Sequence, residues 1–199
     1  IPVAKALHPD TLLAYEMNGR PLPLLHGAPL RVITPGWMAE SCMKWLTEII
    51  VRVDETPGYY MQQAYRMPET SIQPGSGLPG SVMVPVEQMV VKSLIAAPGE
   101  GDTLKAGPVT IQGVAWAGEF SVARVDVSCD DGKTWEPARL LGEEQSYAWR
   151  QWQYLWNARQ VGPTEILCRA TDTRGDQQPP TSPWNPGGFL WSGWHRLTV

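Results

Sequence analysis

Arg124-Val125-Asp126-Val127-Ser128-Cys129-Asp130-Asp131-Gly132-Lys133-Thr134-Trp135 reads as a strand, a tight turn and the start of a second strand. Val125 and Val127 alternate with polar residues, so one side of the strand can face a core. Asp130-Asp131-Gly132 supplies the short polar side chains and the glycine that a tight connection requires. The alternation recurs in Ile166-Leu167-Cys168-Arg169-Ala170. Working outward, strand-like runs lie at Val90 to Ala96, Val109 to Trp116, Val122 to Ser128, Trp135 to Leu141, Ala148 to Trp156, Glu165 to Ala170 and His195 to Val199. Short strands at this spacing, separated by turn signals, predict an antiparallel sandwich.

Composition agrees. The chain has 19 Gly and 19 Pro, residues that punctuate short strands and are avoided inside helices. At 199 residues and 43% apolar content it can bury a core. A net charge of -4, from 16 basic and 20 acidic residues spread along the chain, offers no basic stripe for nucleic acid. No apolar run reaches the roughly 18 residues that cross a bilayer, so no membrane span is expected. Ile1 to Leu7 carries neither a charged leader nor a cleavage pattern. Three cysteines, Cys42, Cys129 and Cys168, are an odd number without a Cys-x-x-Cys, which indicates neither a zinc site nor a disulfide framework. Cys129 abuts the Asp130-Asp131-Gly132 turn, and no bridge from it to Cys168 is expected.

The first 70 residues read differently. A short helical turn is expected around Val3 to Leu7, then an apolar strand from Leu12 to Met17. Asn18-Gly19 marks a tight hairpin, because both central residues of such a turn take positive φ. A return strand is expected toward Pro21 to Leu25, another at Leu30 to Ile33, and a β-branched strand from Lys44 to Val53. Tyr59 to Met67 reads as helical until Pro68. Pro68, Pro74, Gly75, Gly77, Pro79 and Gly80 form a connection and set the domain boundary.

The order of motifs in both halves resembles a known family. Leu12-Leu13-Ala14-Tyr15-Glu16-Met17-Asn18-Gly19-x-Pro21-Leu22-Pro23, His26-Gly27-x-Pro29-x-Arg31, Pro35-Gly36 and Lys44-Trp45-Leu46 look like the last third of the sulfite oxidase molybdopterin domain. Gly113-Val114-Ala115-Trp116-Ala117-Gly118, Gly132-Lys133-Thr134-Trp135, Ala148-Trp149-Arg150-x-Trp152, Arg169-Ala170-Thr171-Asp172, Trp184-Asn185 and Trp194-His195-Arg196 are similar to the family's dimerisation domain. The resemblance implies a mainly β protein. Residues 1–70 would be a partial α+β segment of the molybdopterin-binding fold, 71–84 a Pro/Gly-rich connection, and 85–199 an immunoglobulin-like β-sandwich that pairs two protomers.

It also implies a molybdenum-molybdopterin cofactor, bound mainly by residues outside these 199. The family's metal-binding cysteine and substrate-side tyrosine both precede the segment seen here, so the chain reads as the second part of a longer polypeptide. His26 and Arg31 correspond to positions that hold the pterin and its phosphate, and a guanidinium fork suits phosphate oxygens. Cys42, Met43 and Lys44 correspond to the other cofactor-contacting stretch, where the backbone can pair with the pterin edge. Cys42 is expected there as a neighbour of the pterin, not as a metal ligand; no metal ligand and no catalytic residue is assigned. Without the resemblance, spacing alone favours His26 as a cap of the turn before Gly27 and Arg31 as a solvated strand residue.

One departure stands out. Gly187, in Trp184-Asn185-Pro186-Gly187-Gly188, occupies the place of an arginine that reaches the substrate anion in animal and plant members. Arg174 and Arg196 lie nearby in sequence, but spacing selects neither. Trp149, Trp152, Trp156, Trp184, Trp191 and Trp194 are expected in the core or an interface. His8 and His195 read as structural, and three scattered histidines make no metal site.

The function so implied is oxygen-atom transfer to a small oxyanion such as sulfite, with electrons passed to an external acceptor such as a cytochrome c. No Cys-x-x-Cys-His haem attachment motif is present. The expected partners are a second copy, docked through 85–199, and the amino-terminal part of the same enzyme. Bacterial relatives are often exported, so the periplasm is the expected location. The alternatives are a non-catalytic, Trp-rich immunoglobulin-like binding module and a nitrate reductase-like relative.

Overall fold

The computed structural model describes residues 1–75, 82–159 and 161–199. Gly77, Pro79 and Gly80 of the expected connection lie outside the described residues. The chain divides into a first unit, Ile1–Met89 with Trp184–Phe189, and a second, Val90–Pro183 with Leu190–Val199.

The first unit opens with the helical turn α1 (Val3–Ala6), then β1 (Leu12–Ala14), β2 (Glu16–Met17), β3 (Arg20–Pro21) and β4 (Arg31–Ile33). Asn18 and Gly19 take φ of 53° and 72°, and close the β2–β3 hairpin as their sequence predicts. β1 pairs antiparallel with β4, Leu13 opposite Val32. A single wide helical turn, Tyr60–Ala64, precedes β5 (Arg66–Pro68), which pairs with β6 (Met83–Pro85). Two expectations need correction. The return segment after β3 becomes a 3-10 turn, Leu24–His26, because Pro23 fixes an extended entry and Gly27 closes it with positive φ. The strand expected from Lys44 to Val53 is not formed: beyond Leu46, whose N–H reaches Leu30 O at 2.9 Å, no strand pairs with it among the described residues.

The second unit is a two-layer sandwich. β7 (Lys92–Ala97), β8 (Gly107–Trp116), β9 (Val122–Ser128), β10 (Glu136–Pro137), β11 (Arg139–Leu140), β12 (Arg150–Ala158), β13 (Glu165–Asp172) and β14 (His195–Thr198) follow in order. One sheet runs β10-β9-β13-β14 and the other β11-β12-β8-β7. The strand expected over Trp135 to Leu141 is divided at Ala138, and its two halves join opposite sheets. Ile111, Ala115, Val125, Ile166, Cys168 and Ala170 are fully buried between the layers.

Trp152 is the largest side chain in that core and is wholly buried. Its partner across the β12–β8 ladder is Gly113. A Cβ on Gly113 would overlap both the indole and Leu94 O, so a glycine is required for the ring to fit. Burial of roughly 200 Å² of indole contributes about 5 kcal/mol. The buried Nε1 finds no partner among the described residues, which returns about 1–3 kcal/mol of that gain.

The outer face of the other sheet carries a second packed layer. The Arg169 guanidinium lies 4.1 Å from the Trp135 ring centroid and 5.7 Å from that of Trp194. Buried Asp126 accepts from Arg169 Nε at 3.4 Å, and the two indoles meet edge to face at 4.7 Å. Trp149, Trp184 and Trp191 are exposed on the chain, so the core reading holds for Trp152 and not for those three. Cys129 and Cys168 are free thiols. Cys168 sits on β13 opposite Val127 of β9, an in-sheet neighbour, whereas an immunoglobulin bridge joins facing sheets. Burial pushes both thiols up to about 12.

The β9–β10 turn is held by Asp130. Its carboxylate accepts from Thr134 Oγ1 at 2.6 Å, Thr134 N at 2.9 Å and Ser128 Oγ at 2.7 Å. These bonds, the Thr134 hydroxyl first, hold the carboxyl down at about 2. Because the folded value lies below the unfolded one, the stability from this turn is complete above about pH 4 and disappears as pH falls through about 2. The urea midpoint of the wild type should therefore fall more steeply between pH 4 and 2 than that of Asp130→Asn. Equal slopes would remove this role from Asp130.

Candidate functional site

β4 organises the five residues singled out in the first unit. On one side it pairs with β1; on the other, Val32 N–H donates to Met43 O at 2.8 Å. This ladder brings the 42–44 segment beside the 26–31 segment. Gly27 lets them approach: at φ 112°, a Cβ there would lie 3.1 Å from Arg31 Cβ and 3.2 Å from Lys44 Cβ. Any other residue would be strained in backbone and crowded in side chain.

The two cations then tie the segments together. Arg31 Nη1 donates to His26 O at 2.9 Å and Nη2 to Cys42 O at 3.3 Å. Lys44 Nζ donates to Leu25 O at 2.9 Å, and Trp45 Nε1 to Leu24 O at 2.9 Å. His26, Met43 and Lys44 are exposed, so this cluster forms a surface rim rather than a closed pocket. Arg31 Nε is buried and has no hydrogen-bond partner among the described residues.

Cys42 does different work. Its Sγ accepts from Thr34 N at 3.4 Å and lies 3.3 Å from Thr34 Oγ1, so the thiol is engaged with β4's end. Among the described residues, no cluster of three His, Cys, Asp or Glu is placed to hold a metal ion. The donors gathered here, a guanidinium, an ammonium and an imidazole, suit the phosphate and ring portions of a pterin cofactor.

Three neighbours escaped the sequence reading. Lys5 is buried, donates from Nζ to Pro35 O at 2.9 Å, and lies 5.8 Å from the Trp37 ring. Thr34 is buried beneath Cys42. Glu40, whose carboxyl is raised by burial, has a buried Oε1 with no partner among the described residues. Lys5 is far from Pro35 in sequence, and only folding brings them together.

The departure at Gly187 has a structural counterpart. Asn185 clasps its own loop, its Oδ1 accepting from Phe189 N at 2.9 Å and its Nδ2 donating to Phe189 O at 2.8 Å. The clasp turns the Phe189 ring onto Gly187, where any Cβ would overlap it. Phe189 in turn meets Tyr65 at 6.2 Å, which stacks on Tyr60 at 5.7 Å. Arg174 and Arg196, in the second unit, are paired with Asp172 and Asp176 and with Glu165.

Comparison with known proteins agrees in both halves. Residues 1–60 match the family described as the oxidoreductase molybdopterin binding domain, and 84–199 the Mo-co oxidoreductase dimerisation domain. The class defined by these matches is that of the molybdenum-cofactor oxidoreductases. The chain is 40% identical to mitochondrial sulfite oxidase of Homo sapiens over 210 residues, covering 100% of this chain and 38% of that protein. It is 29% identical to nitrate reductase [NAD(P)H] of Hordeum vulgare, over 96% of this chain and 23% of that enzyme. The crystal structure of the sulfane dehydrogenase SoxCD from Paracoccus pantotrophus matches all of this chain and 50% of its own, with a TM-score of 0.83 and 25% identity. The chain belongs to the sulfite oxidase family.

The packing of Phe189 makes a prediction. Gly187→Arg should destabilise the protein by about 1–3 kcal/mol through overpacking, read as a lower melting temperature. Adding Phe189→Ala to Gly187→Arg should recover part of that loss. No recovery would show that the ring is not the obstacle.

Proposed function

We propose that this chain is the carboxy-proximal portion of a sulfite oxidase-like molybdoenzyme and that it supplies one wall of the pterin pocket. The observation that carries the reading is the rim across Gly27, with Arg31 and Lys44 on either side. Identity of 40% to a sulfite oxidase over the whole chain supports the same class. The chain spans 38% of that relative's length, so the activity belongs to a larger molecule.

When bound, a molybdenum cofactor supplies oxygen-atom transfer and accepts the electrons released. The residues described here bind and orient. Arg31 and His26 face the phosphate and pterin, and Lys44 adds a second positive charge. The 42–43 backbone, whose Cys42 N, Cys42 O and Met43 O are bonded to Ala39, Arg31 and Val32, would meet the pterin edge through its remaining groups. The substrate is a small oxyanion of the sulfite class, met without a cation at position 187. An external acceptor such as a cytochrome c takes the electrons. The dimerisation domain expected over 85–199 pairs two protomers through the sandwich that begins at β7, whereas the Pro/Gly stretch at 71–84 falls between β5 and β6 of the first unit.

The test uses the native protein, by intact mass and molybdenum content. About one molybdenum per protomer in a longer polypeptide is expected. A 199-residue species without metal would overturn the reading in favour of a binding module. Arg31→Ala in the native-length protein should lower molybdopterin retention several-fold, assayed by pterin fluorescence after oxidation. Unchanged retention would remove Arg31 from the pocket.

A further inference from the structure

The two layers of the sandwich end side by side. β7 closes one sheet and β14 the other, and β7 packs against β13 and β14 within the second unit. Each edge strand carries backbone groups that no further strand of its own sheet can meet. Three hydrogen bonds join the two edges. Ile95 N donates to His195 Nδ1 at 3.2 Å. Gly101 N, in the turn after β7, donates to Thr198 O at 2.8 Å. Thr198 N donates to Glu100 Oε2 at 2.9 Å.

The first of these bonds depends on the charge of its acceptor. An imidazole nitrogen accepts only while it is unprotonated. With Nδ1 turned to the Ile95 N–H, the neutral ring carries its proton on Nε2. A second proton at Nδ1 would set N–H against N–H. Ile95 also lies where β7 slips its register against β8, between Ile95 and Ala97, so the ladder behind it is interrupted.

The surroundings keep the ring neutral. Burial, and next the Lys92 ammonium on β7, push His195 below the ordinary histidine range, and the Glu100 carboxylate partly offsets them. Cys168, directly opposite on β13, is a buried thiol. Arg196, the next residue of β14, is paired with Glu165 at 3.4 Å. His195 also lines an open cleft with Pro180, Thr181, Ser182, Trp191 and Trp194, and Arg196 is the one other ionisable residue of that lining. The cleft leaves a charged ring room to turn.

We propose that the β7–β14 seam is a proton-operated latch: neutral His195 holds it shut through the Ile95 N–H, and protonation releases β7 from the facing edge in mildly acidic solution. Because the folded value of His195 lies below the unfolded value of about 6.5, the stability from the latch is complete above the unfolded value. It is lost as pH falls through the lower, folded one.

Single-amide hydrogen–deuterium exchange on the native-length protein reads the latch between about pH 8 and 4, above the range in which the Asp130 turn gives way. Each rate is divided by the free-peptide rate at the same pH. Protection of Ile95 should fall about tenfold per pH unit below the midpoint, while the amides of β8 and β12 keep theirs. His195→Asn keeps an oxygen acceptor where Nδ1 stood and takes up no proton in this range, so it should hold Ile95 protection constant. Lys92→Met removes the nearby positive charge and should raise the midpoint. Wild-type protection at Ile95 that is flat with pH, or that falls together with β8, overturns the latch. So does an equal fall in His195→Asn. Should that variant not fold, an unmoved midpoint in Lys92→Met overturns it instead.

Discussion

Close approach of two backbones across a glycine is the constraint on which both halves of this molecule depend. In the sandwich, the Trp152 indole occupies the volume that a side chain at Gly113 would need. The β12–β8 ladder places Trp152 directly opposite Gly113. In the first unit, Gly27, at φ 112°, sits between Arg31 and Lys44, where a Cβ would lie 3.1 Å from one Cβ and 3.2 Å from the other. The same absence therefore sets a core in one place and a charged rim in the other. At Gly187 the relation is reversed: the space is taken by the Phe189 ring, which would have to move to admit a side chain.

The sandwich was legible because its signals are local. Val125 and Val127 alternate with polar residues, and Asp130-Asp131-Gly132 turns the chain, with Asp131 and Gly132 both at positive φ. What the sequence did not disclose was tertiary. Trp135 to Leu141 reads as one strand, but the chain changes sheets at Ala138, a crossing set by the facing layers rather than by propensity. Lys44 to Val53 fails in the opposite way. Its β propensity is real, but a strand is a paired object, and no partner stands beside 47–53 among the described residues.

The rim was legible only in part. The family resemblance named His26, Arg31, Cys42, Met43 and Lys44, and the β4 ladder brings all five into one neighbourhood. Sequence alone left the opposite reading of His26 and Arg31 open, since a turn histidine and a strand arginine carry no chemistry by themselves. Nor could it find Lys5 or Thr34, whose places come from contacts between distant segments.

The way the two cations are held bears on how such a rim could work. A guanidinium has five N–H donors and an ammonium three. Arg31 gives one from each terminal nitrogen to the carbonyls of His26 and Cys42, and Lys44 gives one to Leu25. The loops are thus fixed with terminal donors of Arg31 and Lys44 to spare. A phosphate or pterin oxygen could be met without breaking any bond that shapes the rim. Ordering is completed by folding rather than by binding, and a preorganised cationic site loses less affinity to loop entropy than one assembled around its ligand.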